Sequence, residues 1–124
     1  IQAVVNSKMK GVSSIHLIPP VEYPQLVRLL DRCHFVITAS GGIQEEAPAL
    51  GKPVLVIRDV TERTEGIDAG TAILVGTSRE RIVMQARLLL DDEDAYQQMA
   101  KAVNPYGDGA SARRITDVLL NEKL

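Results

Sequence analysis

The segment Thr38-Ala39-Ser40-Gly41-Gly42-Ile43-Gln44-Glu45-Glu46 carries residue types that could hold an anionic ligand. A short apolar run ends in Ser-Gly-Gly where a helix should begin. Such a turn presents free backbone N–H groups, a hydroxyl and the positive end of a helix dipole, with no side chain to block close approach. The chemistry it suits is phosphate binding. Ser-Gly-Gly before a helix is equally the composition of a tight turn that needs glycine only for backbone freedom, so the pattern alone leaves both readings open. Glu45 and Glu46 lie one helical turn on, where a carboxylate can accept hydrogen bonds from ribose hydroxyls. A glutamate in a first turn also simply complements the dipole.

Arg58, Asp59, Thr61, Glu62, Arg63 and Glu65 crowd the segment after the next apolar run. An arginine there can contact a phosphate or brace the loop through a carboxylate, against the plainer reading of solvated ion pairs. His16 and His34 have no partner at a useful spacing. His16 reads as a buried or half-buried structural histidine within a strand, and His34 as a surface residue. Cys33 fits an apolar helix face, and Tyr106, between Pro105 and Gly107, reads as a loop anchor.

The elements that must position these residues alternate between β-branched runs and stretches of helical period, the pattern of βα units on a parallel sheet. Strands are expected at Ser14–Ile18, Phe35–Thr38, Val54–Ile57 and Ala72–Val75. The unbroken apolar character of the third implies burial on both faces. Helices are expected from Pro24 to Arg32 and from Ile43 to Leu50, the latter closed by Gly51 as a left-handed C-cap. The stretch from Arg58 to Gly70 reads as a loop with a helical turn. Thr77-x-x-Glu80 reads as a capping box opening a helix that turns Ile82, Val83, Ala86, Leu89 and Leu90 inward. Another helix over Asp92–Ala102 should bury Tyr96, Met99 and Val103, and a last one Ile115, Val118 and Leu119. The sum is an α/β, Rossmann-like fold of about four parallel strands with helices on both faces.

The chain has 124 residues and 13.5 kDa, the size of one domain spanning 1–124. With 45% apolar and 24% charged residues it has material for a core. Fourteen Lys and Arg against sixteen Asp and Glu leave a net charge of −2, without the basic field that nucleic acid or an anionic membrane would require. No apolar run approaches the roughly 20 residues of a spanning helix. The single cysteine excludes an internal disulfide and any cysteine-based zinc site, and suits a reducing compartment, by default the cytoplasm.

The Ser40–Pro53 run resembles the Ser-Gly-Gly-Ile-Gln-Glu-Glu-Ala-Pro block of the non-hydrolysing UDP-N-acetylglucosamine 2-epimerases. Further blocks resemble that family in the same order: His16–Pro20, Gly51–Asp59, Thr61–Arg63, Ala69–Thr71, Leu74–Thr77 and Asn104–Gly109. The resemblance implies part of the C-terminal domain of a two-domain GT-B fold, with Ile1 inside a helix of a longer chain. It implies interconversion of UDP-GlcNAc and UDP-ManNAc, by anti elimination of UDP to 2-acetamidoglucal and re-addition, in cell-surface polysaccharide biosynthesis. Ser40, Gly41 and Gly42 would hold the diphosphate, Glu46 the ribose hydroxyls, and Arg63 the nucleotide or its loop. The acid/base residues are expected upstream of this segment. The resemblance implies no cofactor or metal, no nucleic-acid or membrane partner, and a homodimer of the full-length protein. Three positions depart from the family pattern: Ala39 stands for an Asp, Thr64 for a Pro, and Leu26 for an aromatic beside the uracil. The competing expectations are a donor-binding domain of a GT-B glycosyltransferase, sharing the glycine-rich turn and following glutamate, and a non-catalytic nucleotide-binding module.

Overall fold

The computed structural model of the chain describes residues 2–121. Helices α1 (Gln2–Met9) and α2 (Tyr23–Arg32) precede a β/α succession: β1 (Val36–Thr38), α3 (Gly41–Ala49), β2 (Val54–Val56), α4 (Thr64–Asp68) and β3 (Ala72–Leu74). Helices α5 (Arg79–Asp91), α6 (Glu93–Ala100) and α7 (Ser111–Asn121) follow. The strands form one parallel sheet in the order β1-β2-β3, with Val36 opposite Val54 and Val54 opposite Ala72. Ile1 lies outside the described residues.

Side chains alternate between the two faces of a strand, so the register sorts the core into two layers. Val54, Val56 and Ala72 face α2 and α3, where they pack with Leu30 and Ala47. Leu55 faces the other way and packs with Val75, Leu89 of α5 and Met99 of α6. All three residues of β2 are fully buried, as the continuous apolar run predicted. Gly51 adopts φ +67° after α3, the left-handed stop expected of it. No described helix is long and apolar enough to cross a membrane.

Several expectations are corrected. Ser14–Ile18 forms no strand, and among the described residues the sheet has three strands rather than four. A strand must place its N–H and C=O groups in a ladder, and among the described residues β1 offers its edge only to β2. The segment instead begins with a turn, Ile15 N–H to the Val12 carbonyl at 3.0 Å, and leaves Leu17 and Ile18 exposed. His16 is therefore exposed, not buried. The cap of α5 is Ser78, one residue beyond Thr77; its hydroxyl accepts from Arg81 N–H and donates to Glu80. That phase leaves Val83 and Leu90 exposed, whereas Ile82, Ala86 and Leu89 pack inward. Helix α6 ends at Ala100, short of Val103, which is 83% exposed. No residue of α7 is buried, so Ile115, Val118 and Leu119 form an open apolar side.

Candidate functional site

The carboxyl ends of β1 and β2 aim two loops at the same end of the sheet, where ligands of open α/β sheets bind. The loop after β1 is minimal. Thr38 Oγ1 accepts from Ser40 N–H at 3.0 Å, turning the chain so that Ser40 caps α3 and Gly41 and Gly42 form its first turn. The Ser40 side chain makes no capping bond of its own, which leaves the hydroxyl available. Neither Gly41 nor Gly42 has a positive φ. A left-handed backbone therefore does not explain these glycines; at Gly41 a close approach does, whereas a Cβ at Gly42 would meet nothing nearer than Glu46 Oε1 at 3.8 Å. What approaches Gly41 is Arg63 together with its partner Glu62: a Cβ there would lie 3.3 Å from both Arg63 Cζ and Glu62 Oε1, and 3.4 Å from Arg63 Nη2.

Arg63 comes from the loop after β2 and is held at several points. Its Nε donates to Glu45 Oε1 at 2.7 Å and its Nη1 to Glu62 Oε1 at 3.1 Å. Glu62 is shared with Arg58 at 3.2 Å. The hydrogen bond that Arg63 donates to Glu45 pushes the Arg63 pKa further above its ordinary value. The Glu62 carboxyl is held below its usual value, first by a backbone hydrogen bond and then by Arg58 and Arg63. The Arg63 backbone is pinned by side chains as well. Its N–H donates to Thr61 Oγ1 at 3.1 Å, and its carbonyl accepts from the Tyr106 hydroxyl at 3.3 Å. The same phenol oxygen accepts from Gly66 N–H at 3.0 Å, so Tyr106 anchors the loop as its setting between Pro105 and Gly107 suggested.

Glu46 lies one turn into α3, its Oε1 3.8 Å from where a Gly42 Cβ would stand. It borders a cavity of about 180 Å³ between α2 and α3, lined also by Tyr23, Val27, Leu30, Ala49 and Leu50. The neighbouring Glu46 carboxylate raises the pKa of the Tyr23 phenol. The structure thus brings Ser40, Gly41, Gly42, Glu46 and Arg63 together at one end of the sheet. Leu26 is half-buried and packs into the core under α2. Thr64 is the first residue of α4, a position that proline also tolerates.

The histidines stand apart from this cluster. His34 stacks on Tyr96 with centroids 4.1 Å apart, and its Nε2 lies 3.0 Å from the Leu89 carbonyl. Tyr23 went unnoticed in the sequence, and Gln44 and Thr61, which join the two loops, were noted only as members of their segments, without a role of their own. The available signal was a polar Gln44 at a position that helical period assigns to the sheet-facing side of α3.

A family model described as UDP-N-acetylglucosamine 2-epimerase matches residues 1–120. A UDP-N-acetylglucosamine 2-epimerase of Bacillus subtilis is 54% identical over 86% of this chain and 28% of its own length. Its counterpart from Yersinia pestis is 52% identical over 97% of this chain and 32% of its own. Among solved structures, the UDP-GlcNAc 2-epimerase of Neisseria meningitidis bound to UDP-GlcNAc superposes with a TM-score of 0.90, at 42% identity over 98% of this chain and 33% of that one. The chain therefore spans about a third of the length of the relatives it matches.

Proposed function

Because this chain belongs to the UDP-N-acetylglucosamine 2-epimerase family, we propose that it supplies the UDP-binding half of an enzyme interconverting UDP-GlcNAc and UDP-ManNAc. The observation that carries this reading is the guanidinium of Arg63 poised over Gly41, at a helix start where Gly41 and Gly42 add no side chain of their own. In this reading the diphosphate rests on the first turn of α3, with the Ser40 hydroxyl and Arg63 beside it and the ribose hydroxyls on Glu46. The cavity between α2 and α3 borders Glu46, and in this reading it offers space beside the ribose for the nucleoside base.

The chemistry explains why such a half-site is needed. Removal of the C2 proton and breakage of the C1–O bond release UDP and leave 2-acetamidoglucal; re-addition of UDP and of a proton on the other face inverts C2. Negative charge gathers on the diphosphate as it leaves, and preorganised donors stabilise it where it develops. UDP must also stay bound while the sugar is detached. The groups that move the C2 proton lie, in this reading, outside these 124 residues: His16 is exposed, and His34 is engaged with Tyr96 and Leu89. We further propose a cytoplasmic protein, homodimeric at full length, whose partners are UDP and the two UDP-sugars, without nucleic acid or membrane.

The test is NMR of UDP-GlcNAc incubated with the full-length protein carrying this segment and, separately, with residues 1–124 alone. The full-length protein should give UDP-ManNAc and the short chain none. Equal turnover by the short chain would overturn the placement of the acid and base outside it.

A further inference from the structure

Gln44 is 1% exposed, and a buried amide is costly unless both of its ends are satisfied. Its Nε2 donates to the Ser40 carbonyl at 3.2 Å, and its Oε1 accepts from Thr61 Oγ1 at 2.8 Å. The Ser40 carbonyl can only accept, so Nε2 must face it and Oε1 must face Thr61. Thr61 spends its one hydroxyl proton on Gln44, which leaves its lone pairs for the Arg63 N–H at 3.1 Å. Three hydrogen bonds thus run in sequence from the cap of α3 to the backbone of Arg63. They cross from one loop to the other through buried and half-buried groups, where water competes little.

We propose that Gln44 and Thr61 are positioning residues, a relay that holds Arg63 in register with the Ser40–Gly42 turn and so fits the site to the diphosphate of a nucleoside diphosphate sugar. The relay rests on the diphosphate reading given above. It touches no ligand itself. Its effect passes through Arg63, and that dependence separates it from a contribution to folding alone.

The experiment is a double-mutant cycle on UDP binding, by calorimetry on the full-length protein with UDP as the probe. Thr61→Val keeps the shape of threonine and removes its hydroxyl; it should weaken UDP binding about tenfold. Thr61→Ser should restore most of that loss. In an Arg63→Ala background, Thr61→Val should change UDP affinity less than twofold, because the residue it positions is gone. Thr61→Ala reads the same coupling if the valine does not fold. An equal loss with and without Arg63, or no loss in Thr61→Val, overturns the relay while the diphosphate reading stands. If the unsubstituted protein does not bind UDP, the diphosphate reading falls and the relay with it.

Discussion

Arg63 Nε lies 2.7 Å from Glu45 Oε1, and the same guanidinium packs against Gly41 four positions earlier in the same helix as Glu45. The cation of one loop is thereby fastened to the helix whose start it overhangs. Both partners are about one-third or more exposed, so the pair adds little to stability by itself. Its value is geometric: a guanidinium already oriented loses less freedom when an anion arrives.

Gly41→Val tests that overhang. The backbone of Gly41 suits any L-residue, so the protein should still melt cooperatively, but the added side chain must displace the Arg63 guanidinium from 3.3 Å away. Calorimetry should show UDP binding reduced at least tenfold, with the thermal midpoint nearly unchanged. Normal UDP affinity would make the turn purely structural.

Glu46→Gln should weaken UDP binding by roughly ten- to hundredfold, the scale of lost charge-assisted hydrogen bonds. Unchanged affinity in a calorimetric titration would assign the carboxylate to the helix dipole alone.

The same substitution has an optical signature. The Glu46 carboxylate raises the pKa of Tyr23, so the phenol stays protonated to higher pH than an ordinary tyrosine. In Glu46→Gln, Tyr23 should ionise at lower pH, seen as an earlier phenolate absorbance rise; the difference should vanish when Tyr23→Phe is the background.

Tyr106→Phe removes the hydroxyl that accepts from Gly66 N–H and donates to the Arg63 carbonyl. Gly66 is buried, so its N–H would be left without a partner. A loss of about 1–2 kcal/mol in a urea titration is expected. A loss near zero would mean that water replaces the phenol.

Asp108 accepts from Ala110 N–H at 3.0 Å and takes Arg114 in a two-pronged bond at 2.8 and 2.7 Å, tying down the start of α7. The Arg114 hydrogen bond, with help from the Ala110 N–H, lowers the Asp108 pKa. A depressed acid stabilises the fold above its unfolded pKa and loses that contribution as pH falls through the folded one. Amide exchange at Ala110–Arg114 should therefore speed up below the usual aspartate pKa. Asp108→Asn should show the fast exchange already at neutral pH.

The elements legible in the sequence were those whose burial is complete and local. Val54-Leu55-Val56 announced itself as an interior strand, and Gly51 as a helix stop, because one neighbour or none decides each. The turn at Ser40 was legible as a βα turn at a helix start, and only the structure shows that Gly41 and Gly42 have no positive φ. Ile115, Val118 and Leu119 show the opposite case: periodicity marks a face and says nothing of what covers it. Ser14–Ile18 failed for a related reason, since β-branched composition sets a preference while a ladder partner makes a strand. The relay through Gln44 was invisible because Thr61 stands seventeen residues away, and only the parallel register brings the two loops side by side.

That register also bears on how the chain reaches this shape. Each strand pairs with one eighteen residues further along, Val36 with Val54 and Val54 with Ala72, and no hairpin joins any of them. The sheet therefore has no local nucleus. Each ladder must wait until the intervening helix has shortened its crossover enough for a three-residue strand to find its neighbour. β2, with partners on both sides and no exposed surface, gains most from late, simultaneous docking. Stability lost within β2 should consequently appear in the refolding rate as well as in the unfolding rate, whereas changes in α7, which nothing buries, should leave refolding nearly untouched.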